Sequence, residues 1–172
     1  AEGLVDCLIG SGYFRLNHWP RLVELGHRHG AKVYPGLSES RIRRDEAAYR
    51  ARQSDESYRG RAAAAWQAGA DGIYVFNEYN ASRAYLRDIG DPATLRHLPK
   101  LYFATVCNGS PGSYLADGNR YQARALLSPE NPIPLGAAQP ARTIIEMGEE
   151  LAPPPTGARR EVMCMLDLEG VR

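Results

Sequence analysis

Two carboxylates stand directly after strand-like runs. Glu39 follows Val33-Tyr34-Pro35-Gly36-Leu37, and Glu78 follows Ile73-Tyr74-Val75-Phe76-Asn77. A pair of carboxyl groups can hydrolyse a glycosidic bond: one protonates the leaving oxygen while the other attacks the anomeric carbon or activates water. Residues able to position sugar hydroxyls and ring faces accompany them: Tyr13, Arg15, Tyr34, Arg41, Asn77 and Tyr79. Each has a blander reading. Glu39 can be a solvated loop carboxylate beside Arg41, Arg43 and Arg44. Asn77 can simply turn the chain while Glu78 faces water, and the tyrosines can be packing residues.

Other chemistries find little support. His18, His27, His29 and His97 lack the HExxH spacing of a zinc site and read as surface or helix-end residues, so no metal is expected. Gly10-Ser11-Gly12 does not complete a GxGxxG, and no Gly-Lys-Ser/Thr phosphate loop or Gly-x-Ser-x-Gly elbow occurs, so no cofactor is expected. A phosphate-binding barrel enzyme would carry Gly-rich turns after its last strands. Here Ser38-Glu39-Ser40 and Asn77-Glu78-Tyr79 occupy those places and favour neutral polyols over anions. Asp6 reads as a partner for Lys32, and Asp71 as a stability residue at the start of its strand.

The elements that must carry these side chains alternate over the first ninety residues. Strand-like runs at 4–9, 31–37 and 70–77 are separated by helical patterns at 19–29 and 58–67, and a further helix is expected over 81–89. Asn17 offers an N-cap to the first helix, and Pro20 fits its first turn. Gly30, Gly69 and Gly90 fit positions just past helix ends. Trp66 reads as core between helix and sheet. Pro35 is awkward inside a central strand and predicts an end or a bulge there. This βαβαβα order calls for a parallel sheet covered by helices, with two open edges if only three strands are present. After Asp91-Pro92 the pattern changes: runs at 101–106, 122–127, 141–147 and 161–168, with Pro and Gly between them, predict short strands of an all-β sandwich.

The phrase Gly69-Ala70-Asp71-Gly72-Ile73-Tyr74-Val75-Phe76-Asn77 after an Ala-rich helix, together with Val33-Tyr34-Pro35-Gly36-Leu37 and the tail Leu166-Asp167-Leu168-Glu169-Gly170, resembles the family-10-like glycosyl hydrolase proteins. The resemblance implies an α/β fold: the C-terminal portion of a (β/α)8 TIM barrel, about three βα units at 1–98, then part of a β-sandwich at 99–172. The three runs become barrel strands 6, 7 and 8. Glu39 then stands where a nucleophile would, and the acid/base carboxylate lies upstream. Asn77-Glu78 resembles an Asn-Glu pair that such enzymes carry after strand 4, here displaced to strand 8. The implied activity is hydrolysis of a poly- or oligosaccharide; the alternative is a non-catalytic carbohydrate-binding protein on a degenerate barrel.

Composition limits partners. With 44% hydrophobic and 24% charged residues and a net charge of +1, the 172-residue chain is globular in type and gives no electrostatic reason to bind nucleic acid. No apolar run approaches the ~20 residues of a membrane span. Cys7, Cys107 and Cys164 lie in apolar runs and read as buried free thiols. Ala1 opens almost directly on a strand, and Gly170-Val171-Arg172 closes directly after one. The expectation is a fragment, partnered by the missing N-terminal part of its own barrel and inactive alone, whose localisation the sequence does not reveal.

Overall fold

A computed structural model describes residues 3–11, 19–38, 50–103, 133–136, 140–149, 157 and 159–164. Among the described residues the strands are β1 (Cys7–Ser11), β2 (Lys32–Leu37) and β3 (Tyr74–Val75). The helices are α1 (Trp19–Arg28), α2 (Asp55–Gln67), α3 (Tyr85–Asp88) and α4 (Pro92–Leu95). The sheet is parallel throughout in the order β1-β2-β3, as the alternating pattern requires. The fold is mixed α/β, and among the described residues β1 and β3 are the outer strands of the sheet.

Local sequence explains the long helices. In α1, Trp19, Leu22 and Val23 turn toward β1 and β2, and a Cβ at Gly10 would meet the side chains of both Leu22 and Trp19. Gly26 lets α1 approach β2, because a Cβ there would lie 2.2 Å from Val33 Cγ2. The helix ends where Gly30 takes a left-handed backbone, φ +75°. Ser54 caps α2 by accepting from the Ser57 N–H. Ala62, Ala63 and Ala65 are buried, so the helix lies close to its neighbours.

Two adjoining clusters form the core. Val23, Val33, Ala65 and Ala70 lie under α1; Leu37, Tyr58, Ala62, Ala63, Tyr85, Ile89 and Leu95 lie under α2 to α4. Ile73 touches both. Trp66 is part-buried against the second cluster, and its indole N–H donates to Ile89 O over 2.8 Å. The opposite sheet face carries Ile9, Tyr74 and Phe76, all exposed.

Several expectations change. The third strand is much shorter than 70–77. Asp71 N donates to Val33 O and Phe76 N donates to Leu37 O, so five residue steps in the 71–76 segment face four in β2. This is a β-bulge in the 71–76 segment. Pro35 sits opposite it, with no N–H to offer, and the Tyr34 ring fills the space over Gly72 that a Cβ would need, 2.4 Å away. The bulge expected at Pro35 therefore falls on the adjacent 71–76 segment, while β2 is continuous from Lys32 to Leu37.

The helix expected over 81–89 is reduced to α3. Glu78 Oε1 and Asn80 Oδ1 accept the backbone N–H groups of Asn80 and Ser82, offering the chain a turn in place of an early helix. Helix α4 was not foreseen, although Asp91 caps it and Pro92 opens it. Cys7 and Cys164 are exposed free thiols, not buried ones: Cys7 opens β1, an outer strand of the described sheet, and Cys164 lies in a described stretch that forms no strand; Cys107 lies outside the described residues. Asp6 is exposed, and its carbonyl accepts from Lys32 N at 2.9 Å.

Of the segments expected to form a sandwich, 101–103, 141–147 and 161–164 are described and form no strand; 104–106, 122–127 and 165–168 lie outside the described residues. Part of this region packs on α2. Lys100 Nζ lies 3.0 Å from Glu149 Oε1, which also accepts from the Tyr102 hydroxyl, and Gly148 lies against the backbone of Ala63.

Candidate functional site

Side chains that leave the carboxyl ends of parallel strands converge on one rim of the sheet, where barrel and open-sheet enzymes keep their chemistry. Here that rim is built by the segment after β3 and by the start of α2. Asn77 takes a left-handed backbone, φ +58°, a conformation asparagine tolerates better than most residues. With the bulge before it, this turn sets the direction of Glu78.

Glu78 is held by three groups. Its Oε2 accepts from the Tyr85 hydroxyl at 2.5 Å, its Oε1 accepts from Asn80 N at 2.8 Å, and Arg83 Nη1 lies 3.9 Å from Oε2. The Tyr85 hydrogen bond and then the Asn80 N–H hold the Glu78 carboxyl below the usual range, so it is ionised at neutral pH. Burial first, and then the same hydrogen bond, push the Tyr85 phenol upward and keep it a donor.

The support behind Glu78 is aromatic and cationic. Tyr85 is fully buried and stacks on Tyr58, with centroids 3.8 Å apart and planes 10° apart. Arg83 lies over the Tyr85 ring at 5.0 Å and Arg61 over the Tyr58 ring at 4.4 Å. Arg83 also donates to Gln53 O at 2.7 Å and pairs with Asp55 at 3.5 Å. Arg61 reaches Ser38 O at 3.3 Å, which ties α2 to the residue following β2.

Of the residues singled out by sequence, Asn77, Glu78 and Tyr79 come together at this rim. Tyr79 is 90% exposed, with its hydroxyl 3.3 Å from Asn77 Oδ1. Tyr34 lies mid-strand with its ring packed over Gly72. Tyr13, Arg15, Glu39 and Arg41 lie outside the described residues. Sequence reasoning missed Tyr85, Tyr58, Arg83 and Arg61. No motif marks them, since their convergence depends on the turn at 77–84. Among the described residues no group of His, Cys, Asp and Glu is placed to hold a metal, and no helix is long and apolar enough to cross a membrane.

Chemically, the arrangement presents an ionised, oriented carboxylate beside an amide and a solvent-facing aromatic ring. Such a carboxylate can attack, accept a proton or bind a hydroxyl; with its affinity for protons lowered, it is poorly suited to donate one. No protein-family model, curated protein or solved structure matches the chain.

Proposed function

We propose that the chain supplies the last three βα units of a (β/α)8-type glycoside hydrolase acting on a neutral poly- or oligosaccharide. The observation that carries this reading is Glu78 itself: an ionised carboxylate fixed at the carboxyl end of β3, beside Asn77 and the exposed ring of Tyr79. The parallel sheet supports it, as does the exposed face bearing Ile9, Tyr74 and Phe76, which closure of a barrel would cover. In this reading Glu78 serves as the ionised partner of the carboxyl pair or binds a substrate hydroxyl. The general acid is a second carboxyl group, which the barrel resemblance places upstream in the remaining barrel.

A second reading has its own support. Both Glu78 oxygens already accept hydrogen bonds from within the chain, an arrangement suited to a non-catalytic carbohydrate-binding barrel. One experiment separates the two. The product of the complete reading frame is incubated with neutral oligosaccharides, and both reducing-end release and binding are measured for wild type and Glu78→Gln. Hydrolysis lost in the variant while binding persists supports the hydrolase. Binding without hydrolysis in the wild type selects the binding protein. Neither binding nor hydrolysis overturns both.

A further inference from the structure

We propose that Tyr85 is the positioning residue of the Glu78 site: its buried hydroxyl fixes the direction and the charge of that carboxylate, and so governs how the site responds to pH. The inference deepens the carbohydrate reading and rests on it only for the ligand.

The geometry is specific. Tyr85 lies on α3 with no exposed surface, and its ring is locked against Tyr58 of α2. The hydroxyl therefore has a fixed position, and it meets Glu78 Oε2 at 2.5 Å. Without it the carboxylate would keep only the Asn80 N–H on Oε1 and the more distant Arg83, and Oε2 would lose its direct donor. A charge-assisted O–H···O⁻ bond of this length is among the stronger hydrogen bonds available to it.

The charged and titratable groups facing the pair come from every side. Arg83 precedes α3, Asp55 and Tyr58 belong to α2, and Arg61 lies over the far side of the Tyr58 ring. Arg83 is shared between Asp55, Glu78 and Gln53 O and stands 3.9 Å from the Glu78 oxygen. Its hold on Glu78 is therefore weaker than that of the hydroxyl, which touches Oε2 directly. The direction of the Glu78 shift agrees, with Tyr85 its largest cause.

The test follows the Glu78 carboxyl carbon by NMR titration in the full chain, as wild type and Tyr85→Phe. Phenylalanine keeps the ring, its burial and the stack on Tyr58, so only the hydroxyl is lost. The expected result is a Glu78 titration midpoint moved to higher pH, with the midpoint of Asp71, a second carboxylate held below its usual range by the fold, much less changed. Superimposable Glu78 curves overturn the proposal. A general loosening would move both carboxylates together, and that result also overturns it.

Should Tyr85→Phe fail to fold, Glu78→Gln gives a second readout. The Tyr85 Cζ resonance must shift when its charged acceptor becomes neutral, and an unchanged resonance counts against the assignment. Oligosaccharide binding by the complete protein is measured in parallel. If the Glu78 midpoint moves but neither protein binds sugar, Tyr85 keeps its role and the carbohydrate reading falls. If sugar binds and the midpoint stays, the reverse holds.

Discussion

Asp71 Oδ2 lies 2.8 Å from His27 Nε2, and the same oxygen accepts the backbone N–H of Val33 at 2.8 Å. One carboxylate just ahead of β3 thus joins the last turn of α1 to the start of β2. Asp71 N donates to Val33 O and completes the connection. The Val33 N–H, and then His27, hold the Asp71 carboxyl below the usual range. A carboxylate with a depressed folded-state pKa stabilises the fold above its unfolded value, and that contribution is lost as pH falls through the folded value. Asp71→Asn should therefore melt at lower temperature than wild type near neutral pH, with the gap closing below about pH 4. Thermal melts from about pH 7 to about pH 3 check this. A gap that stays constant over the range would mean that the charge contributes nothing.

The elements that sequence made legible are those whose signals are local. Strands β1 and β2 and helices α1 and α2 follow from apolar spacing and from Gly30 and Gly69, both with positive φ. Their parallel order follows from the alternation itself. What stayed hidden depends on contacts between distant residues. The bulge in the 71–76 segment lies opposite Pro35, which has no N–H, and beside the Tyr34 ring at Gly72, and neither neighbour can be read within the 70–77 run. The Glu78 site shows the same division. Its carboxylate was visible as a residue following a strand, whereas Tyr85 and Arg83 join it only because 77–84 turns back on itself. Helix α4 is different: Asp91-Pro92 is a local signal that the change of character after it obscured.

Gly60 is the point where α2 meets the chain after α4. A Cβ there would lie 2.4 Å from Leu101 O, a backbone atom, and Leu101 N is held to Glu56 O at 2.9 Å. Gly60→Ala gains up to ~1 kcal/mol of helix propensity. It must also displace a hydrogen-bonded backbone, which typically costs about 1–3 kcal/mol. A net loss of about 1 kcal/mol is expected in denaturant melts, with the m-value unchanged. Gly90→Ala is the control, because nothing lies within 4 Å of its Cβ position. It should stay within ~0.5 kcal/mol of wild type. Equal effects at the two glycines would show that the 101–103 segment does not press on α2.

Tyr79 gives the sharpest test of the rim as a binding surface. It is 90% exposed, and among the described residues its hydroxyl reaches Asn77 alone, so its ring contributes little to the core. Tyr79→Ala should leave the melting temperature within the range of ordinary surface changes, about ±0.5 kcal/mol. An exposed tyrosine beside an ionised carboxylate does offer a flat apolar face with low conformational entropy, the kind of residue on which recognition energy concentrates. If sugars stack on it, the complete protein should lose about tenfold in affinity for neutral oligosaccharides, equivalent to ~1.4 kcal/mol. Tyr79→Phe should retain most of that affinity, since the ring face survives. Isothermal titration of the three proteins against one oligosaccharide settles the point. Loss in Ala with retention in Phe identifies stacking, and equal loss in both assigns the contribution to the hydroxyl and its bond to Asn77. Affinity unchanged in both would remove Tyr79 from the site and leave the amide and carboxylate of Asn77 and Glu78 as its sequence-predicted members on this rim among the described residues.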